Sequence, residues 1–384
     1  MKESIAYSIA KKVSEKGGRT YYVGGFVRDE LLNIENKDID IEVHGISPEE
    51  LYSILCEVGK PQSYGKSYGI YSLANENIDI AMPRIEYNTG KGHKDFEVFV
   101  NPYIDLNKAI KRRDFTINAI YKDVLTNELI DPFNGVKDLE NKIIRHIDAE
   151  TFIEDPLRVL RAAQFASRFN FEIAEETIEL CKTIDITALS MQRVEEELKK
   201  ALFKSNTPSI FFKCLDKMNQ LDYYFNDVNL EYIDEANKYI NNINNKYAYL
   251  LSSLSIDSTL EIIRFTNQKD IIEYVENMRN NIHKSYSNSN ELYKIFYEVK
   301  DINGFIYLRK VLYKDEALFE EYNNYKTLMS KPYVSGRDLI EAGYEPGEYF
   351  NEALKYATSL RLLGVEKQEA LRVVIEYIKK ISIS

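Results

Sequence analysis

The chain has 384 residues, 44% hydrophobic and 29% charged, an ordinary globular balance that allows two or three domains and a sizeable core. A net charge of −11 excludes sequence-blind adhesion to nucleic acid through a broad basic face, though not a local basic groove. No stretch is long and apolar enough to span a bilayer, and Cys56, Cys181 and Cys214 are too far apart to form a metal spacing, so a cytoplasmic location is expected.

The opening residues MKESIAYSIAKKVSEKGG carry polar side chains throughout and predict an amphipathic helix over Lys2–Lys16 rather than a targeting signal. A short strand, TYYVGG, comes next; a second helix starts after Gly25, and KDIDIEVHG alternates as a strand. Further strands are expected in YGIYSLANENIDIAMPR and DFEVFVNP, with the Gly-rich loop YNTGKGHKDF between them. RRDFTINAIYKD reads as a loop entering a helix. After DPFNGVKDL the strand signal fades, and from Thr151 onward the pattern is mostly helical, as in EDPLRVLRAAQFASRF and VEEELKKALF. Turn signals in KPYVSGRDLIEAGYEPGEYF separate a last helical unit. The expected fold is therefore α+β, a small head with a mixed sheet and flanking helices followed by an all-helical remainder.

The feature that needs explaining is Asp38 and Asp40, one residue apart on an apolar strand. On a strand, positions i and i+2 share a face, so the two project together while Ile39 and Ile41 turn to the core. Two carboxylates this close repel unless a cation sits between them. An oxygen-only donor set suits Mg²⁺, which binds one or two carboxylates together with substrate phosphates. Asp79, in the second alternating run NIDIAMP, is a candidate third carboxylate on a neighbouring strand. A solvated strand face is the bland alternative, since D-x-D recurs by chance. The preceding GGFVRD weighs against it: Gly24 and Gly25 admit a ligand close to the backbone, and Arg28 stands one turn inside the helix with a fork suited to phosphate oxygens. Together they read as a triphosphate and metal site.

At these residues a family resemblance emerges. GGFVRDELL…KDIDIEV resembles the first motif of the nucleotidyltransferase superfamily in its class II CCA-adding and bacterial poly(A) polymerase branch. KRRDFTINAIYKD resembles that branch's second motif, DPFNGVKDL its hinge-like third and EDPLRVLRAAQFASRF its fourth, while VSGRDLIEAGYEPG is similar to the start of the tail in CCA-adding members. The match is close to about residue 170, returns near residue 334, and is only class-level between. The resemblance implies a palm-like head over residues 1–125, a neck with a nucleotide-selecting helix over 126–200, a helical body over 201–325 and a tail that anchors tRNA over 326–384. It makes Asp38 and Asp40 the Mg²⁺ ligands and catalytic carboxylates. Gly25, Arg28, Arg113, Asp155, Arg158 and Arg161 become nucleotide-contacting positions, with Gly24, Asp114, Asn118 and Glu154 in supporting places. One position departs: some members carry Arg three residues after Arg161, and here it is Gln164.

The implied reaction is attack of the tRNA 3′-hydroxyl on the α-phosphate of CTP or ATP, releasing pyrophosphate, with divalent ions lowering the hydroxyl pKa and holding the leaving oxygens. Base selection rests on donor and acceptor order. Cytosine and adenine each present an amino donor beside a ring-nitrogen acceptor; an ionised Asp155 only accepts and Arg158 only donates, so the pair suits both bases and rejects uracil and guanine. Three apart on a helix, the two residues are also expected to orient each other. Against this, Asp before Pro at a helix start is a plain N-cap. For RRDFT a surface basic pair is the bland alternative; in the family context Arg113 faces the triphosphate. Lys91, His93 and Lys94 read as loop or RNA-backbone contacts, in a loop that CCA-adding members use in switching from C to A addition.

His44, His93, His146 and His283 include no adjacent His-Asp motif, which argues against an added phosphohydrolase domain. The alternatives to CCA addition are a CC-adding, A-adding or poly(A) polymerase relative, a catalytically silent RNA-binding module, and a generic nucleotide-binding regulator. A silent module has no use for so costly a carboxylate pair, and a regulator none for so long a helical extension. Oligomeric state is left open. Because an acidic chain has to bind RNA through a local groove, tRNA affinity should fall steadily as salt is raised; a flat salt titration contradicts this.

Overall fold

The structure, a computed structural model, describes residues 4–63, 69–88, 96–256, 266–331 and 333–381. The chain forms two compact units, Met1–Asn226 and Asp227–Ser384. The boundaries expected at 125, 200 and 325 divide the chain more finely than this.

In the first unit, α1 (Ile5–Glu15) begins where Ser4 accepts from the Tyr7 N–H and buries Ala6, Ile9, Ala10 and Val13. The strand β1 (Arg19–Tyr22) leads through Gly24 into α2 (Gly25–Leu31), and then to β2 (Ile39–His44). Next comes α3 (Pro48–Val58), started by a reciprocal cap between Ser47 and Glu50 with a proline at its first turn. The run expected as one long strand is broken by a turn into β4 (Ile70–Leu73) and β5 (Ile78–Ala81), after the short β3 (Pro61–Ser63). A hairpin of β6 (Arg84–Asn88) and β7 (Phe96–Val100) stands apart as a two-stranded sheet. The loop residues Lys91, His93 and Lys94 lie outside the described residues.

After α4 (Leu106–Lys111) the sequence suggested a helix in RRDFTINAIYKD. What forms is a single 3-10 turn, Thr116–Asn118, and then β8 (Tyr121–Asp123). Tertiary pairing prevails over the local pattern: β8 adds antiparallel to β1, and Phe115, Ile117, Ala119, Ile120 and Tyr121 are all buried. With β9 (Leu129–Ile130) the main sheet has seven strands in the order β3-β4-β5-β2-β1-β8-β9, antiparallel except for β2 beside β5, hence mixed. Ile41 and Val43 of β2 pack with α1 and α3 against one face, with Leu51, Leu55 and Ile80. Alternation turns Asp40 and Glu42 to the other face.

That second face belongs to the site. The chain continues through α5 (Gly135–Glu140), β10 (Ile143–Ile144) and α6 (Ala149–Phe152) into α7 (Leu157–Phe169). A short β11 (Glu172–Ile173) pairs parallel with β10 and precedes α8 (Glu175–Lys182), α9 (Met191–Phe203) and α10 (Ser209–Lys217). Helix α7 buries Val159, Leu160, Ala162, Ala163, Phe165 and Ala166, and packs on α9 and α10. The second unit is helical throughout its described residues. Its last part has a core of Leu339, Phe350, Ala353, Ala357, Val374 and Ile378, entered through a Ser335–Asp338 capping box inside the tail-like segment.

The DPFNG turn closes tightly against the 3-10 turn before it. Asp131 accepts from the Gly135 and Val136 N–H groups at 2.7 and 2.9 Å, and Asn134 takes the left-handed conformation with φ 58°. A Cβ on Gly135 would lie 2.2 Å from the Thr116 carbonyl oxygen and 2.8 Å from Ile120, so the turn can close only over glycine. Gly135→Ala should therefore destabilise the protein by about 1–3 kcal/mol, as overpacking does, measured by urea unfolding. An unchanged midpoint would contradict that close approach.

Candidate active site

Parallel pairing of β2 with β5 sets Asp40 directly opposite Asp79. The Asp40 carboxyl is pushed up to about 6, first by burial and then by the nearby Asp79 charge, with Arg113 pulling the other way and Asp38 adding to the rise. Asp38 is placed differently from the expectation. The strand begins only at Ile39, and Asp38 precedes it, exposed, its N–H donating to Asn36 Oδ1 at 3.0 Å. The Asn36 side chain holds the backbone in a turn there, which delays the strand.

Three cavities meet this edge. The largest, about 840 Å³, is lined by Asp40, Asp79, Arg113, Asp155 and Arg158 among others. A second of about 270 Å³ is lined by Gly24, Gly25, Arg28, Asp40, Arg113 and Arg161, with further cations. Asp38 shares a third with Asp79. Asp40 and Arg113 line both of the first two. Among the described residues no three His, Cys, Asp or Glu side chains already converge as a closed metal site. Two carboxylates completed by substrate oxygens are a smaller donor set, and Mg²⁺ uses such sets.

Gly24 adopts φ 64° and ψ −128°, a conformation that strongly favours glycine, and a Cβ there would stand 3.0 Å from an Arg113 guanidinium nitrogen and 4.0 Å from Asp40. Arg28 is not the open phosphate fork read from the sequence. It is buried, with Nε and Nη2 donating to Asp29 Oδ1 at 2.8 and 2.6 Å and Nη1 to Asn118 Oδ1 at 2.6 Å. From Asn118 the network continues: its amide donates to Asp114 at 3.0 Å, and Asp114 accepts from Nε of Arg161 at 2.7 Å and from Nη2 of the same group. Burial opposes ionisation of Asp114, but the Arg161 charge and the Asn118 hydrogen bond outweigh it and hold the carboxyl below its ordinary value. Arg161 also approaches Glu197 of α9 at 4.0 Å. Helices α2, α7 and α9 are thus joined by one polar chain, in which Asn118 links Arg28 to the charges of Asp114, Arg161 and Glu197.

Asp155 does serve as a cap, accepting from the Leu157 N–H at 3.1 Å. It does not pair with Arg158. Its two oxygens accept from Arg193 of α9 at 3.0 Å each, while Arg158 donates to the backbone carbonyl of Arg112 at 2.8 Å and to that of Thr151. Three-residue spacing brought the two near, but each found a partner outside the helix. Glu154 is exposed at the rim of the larger cavity.

Four polar residues escaped the sequence reading. Glu42 and Tyr121 hold Arg113: the Tyr121 hydroxyl donates to Glu42 at 2.9 Å, and Arg113 donates to the Tyr121 oxygen at 3.1 Å and to Glu42 at 3.4 Å. Burial opposes the Glu42 charge, yet its hydrogen bond with His44 and the Arg113 cation keep the carboxyl below its usual range. The same i, i+2 alternation that joined Asp38 to Asp40 would have placed Glu42 on this face. Arg193 and Glu197 lie at helical spacing on α9 and carry no local signal.

The site is thus framed by a seven-stranded mixed sheet with carboxylates on one face and by the cation-bearing helix α7. Residues 20–145 match the family model of the Poly A polymerase head domain. The chain is 39% identical over 202 residues to the Multifunctional CCA protein of Nitrosospira multiformis, covering 52% of this chain and 47% of that protein. It is 40% identical over 214 residues to the protein of the same description from Mannheimia succiniciproducens, covering 54% and 49%. In three dimensions it is similar to the Thermotoga maritima CCA-adding enzyme complexed with tRNA, with a TM-score of 0.71 at 23% identity over 97% of this chain and 95% of that one. It is likewise similar to the Bacillus stearothermophilus CCA-adding enzyme in complex with CTP, with a TM-score of 0.74 at 20% identity over 98% of both chains. The chain spans about half the length of the curated relatives it matches. Its head region matches the Poly A polymerase head domain, and its fold is that of the CCA-adding enzymes compared above. No helix among its described residues is long and apolar enough to cross a membrane.

The polar network gives a direct expectation. Removing Asp114 leaves the half-buried Arg161 with no carboxylate nearer than Glu197, so Asp114→Ala should lower stability by about 1–3 kcal/mol in urea unfolding, with Asp114→Asn intermediate. Equal stability of all three proteins would show that the pair is not a joint.

Proposed function

We propose that the chain is a tRNA nucleotidyltransferase that adds CCA to the tRNA 3′ end from CTP and ATP. The observation that carries this reading is the double membership of Asp40 and Arg113, which line both the cation-rich cavity and the larger cavity bearing Asp155 and Arg158. A nucleotide whose phosphates occupy the first and whose base enters the second has its α-phosphate beside Asp40. The similarity to CCA-adding enzymes supports the same reading, with a tail in the second unit assigned to anchoring tRNA.

In this reading Asp38 and Asp40 hold Mg²⁺, with Asp79 across the strand pair as a third carboxylate. The raised Asp40 pKa supports the fit, since burial and the facing Asp79 both disfavour its charge, which a bound cation would offset. Bound there, the metal would lower the pKa of the attacking RNA hydroxyl and stabilise the leaving pyrophosphate. The chain's own part is positioning. Arg113, fixed by Glu42 and Tyr121, neutralises phosphate charge beside Asp40. Gly24 and Gly25 let the nucleotide approach the backbone. Asp155 and Arg158 are each immobilised by separate partners, so a base entering the larger cavity meets a fixed acceptor and a fixed donor. Arg158 spends two of its five N–H donors on carbonyls and keeps the others for a base edge.

The reading is tested with tRNA transcripts lacking the last one, two or three nucleotides, given CTP and ATP separately and together with Mg²⁺. Restoration of the full CCA end is expected, and Asp40→Ala should abolish addition while tRNA binding persists. Extension stopping at CC, restricted to the final A, or running on as poly(A) would assign a relative of that kind instead. Incorporation by Asp40→Ala at the wild-type rate would remove the carboxylate from the chemistry.

A further inference from the structure

The smaller cavity holds a cation that no motif assigned. Arg168, on the last turn of α7, lines it with Arg28, Arg113 and Arg161, and Lys204 at the end of α9 lines it as well. These guanidinium groups differ in how firmly the protein holds them. Arg28 has three short hydrogen bonds, and Arg161 has two to Asp114. Arg168 reaches only Asp29 Oδ2, at 3.4 Å, and that oxygen already accepts from Asn36 at 3.0 Å. Such a distance is long for a charge-assisted bond, which is ordinarily about 2.7–2.9 Å. Its position is nevertheless fixed, because its guanidinium lies 4.7 Å from the centre of the Phe169 ring. Against the same rings, Arg28 stands 4.7 Å from Phe169 and 5.3 Å from Phe165, and Arg161 5.1 Å from Phe165. The two rings are stacked within 8° of parallel. Three arginines are spaced along one aromatic ladder, and the last has most of its hydrogen-bonding capacity unspent.

Gln164 completes the picture. It lines the same cavity one turn before Arg168, is 2% exposed, and its amide nitrogen has no hydrogen-bond partner. A neutral side chain here leaves the cavity without a cation at this point of the helix face, and the residue four positions on supplies one to the same space. Lys204 adds to the local excess of positive charge: burial and then the Arg168 charge hold its ammonium below the ordinary value.

The geometry points to Arg168 as the residue that contacts the terminal phosphates of the bound nucleotide in this chain, in the role that Gln164 is too short of charge to fill. This rests on the proposed nucleotide reading. With the α-phosphate beside Asp40, the phosphates beyond it extend along the helical wall of the same cavity, where Arg168 and Lys204 lie. Arg168 is then a specificity residue for triphosphate over monophosphate, and it leaves base choice to the other cavity.

The test is isothermal titration of CTP and CMP into the full-length wild type, Arg168→Met, Gln164→Arg and the double variant, with thermal melts alongside. Arg168→Met should weaken CTP about tenfold or more, the scale of one charged hydrogen-bonding partner, and leave CMP affinity unchanged. Gln164→Arg in the Arg168→Met background should recover most of the CTP affinity. Equal loss for CTP and CMP would mean that Arg168 only supports the fold, and no loss for either would overturn the assignment; both leave the nucleotide reading standing. A wild type that does not prefer CTP to CMP sinks the inference and the nucleotide reading together. Failure of the double variant to recover, after a CTP-specific loss in the single one, would retain Arg168 as the contact and refute the exchange with Gln164.

Discussion

The Asp114–Arg161 ion pair is the constraint on which the site depends. Four guanidinium groups, those of Arg28, Arg113, Arg161 and Arg168, line a cavity of about 270 Å³, and left alone they would repel one another. Asp29, Asp114 and Glu42 are interleaved among them, each bonded to a different arginine, and the rings of Phe165, Phe169 and Tyr121 lie about 5 Å from the guanidinium carbons. Carboxylates and rings together set the spacing. Asp114 is shared between Asn118, beside the sheet, and Arg161 of α7, so it fixes the cation wall relative to the sheet that bears Asp40. A polyanionic ligand then meets cations already gathered, and the cost of bringing them together is met during folding rather than on binding.

The carboxylate side is built on the opposite logic. Asp40 and Asp79 are placed side by side by strand register, and burial, then the Asp79 charge, raises the Asp40 carboxyl against the pull of Arg113. Within one site Arg28, Arg113 and Arg161 are each bonded to a carboxylate, while Asp40 faces a second acid. That asymmetry fits a ligand delivered together with a divalent ion, which the proposed reaction calls for.

Much of this was legible from short-range pattern. Alternation in KDIDIEV gave the strand and its faces, and the Asp-Pro start with buried residues at helical spacing gave α7. The head-then-helices order came from where alternation ended. The illegible part depended on contacts distant in sequence. Tyr121 became a strand residue because β1 offered it an edge. Arg28 turned inward because Asn118, ninety positions later, met it there. Asp155 and Arg158 separated because Arg193 and the carbonyls of Thr151 and Arg112 competed for them. Local spacing predicted neighbours, and tertiary partners decided who bonded to whom. Asp38 differed for a local reason, a side-chain turn at Asn36 that spacing alone does not reveal.

The parallel pairing of β2 with β5 has a consequence for how this chain can vary. Asp79 faces Asp40 only because the connection from Leu73 to Ile78 has the length it has, and β5 alternates strictly, with Ile78 and Ile80 inside. Gaining or losing one amino acid in that connection would rotate every side chain of β5 to the wrong surface, sending an isoleucine to the mouth and an acid into the hydrocarbon interior. Substitutions there can be many and varied; indels must come in pairs or be absorbed before the strand begins.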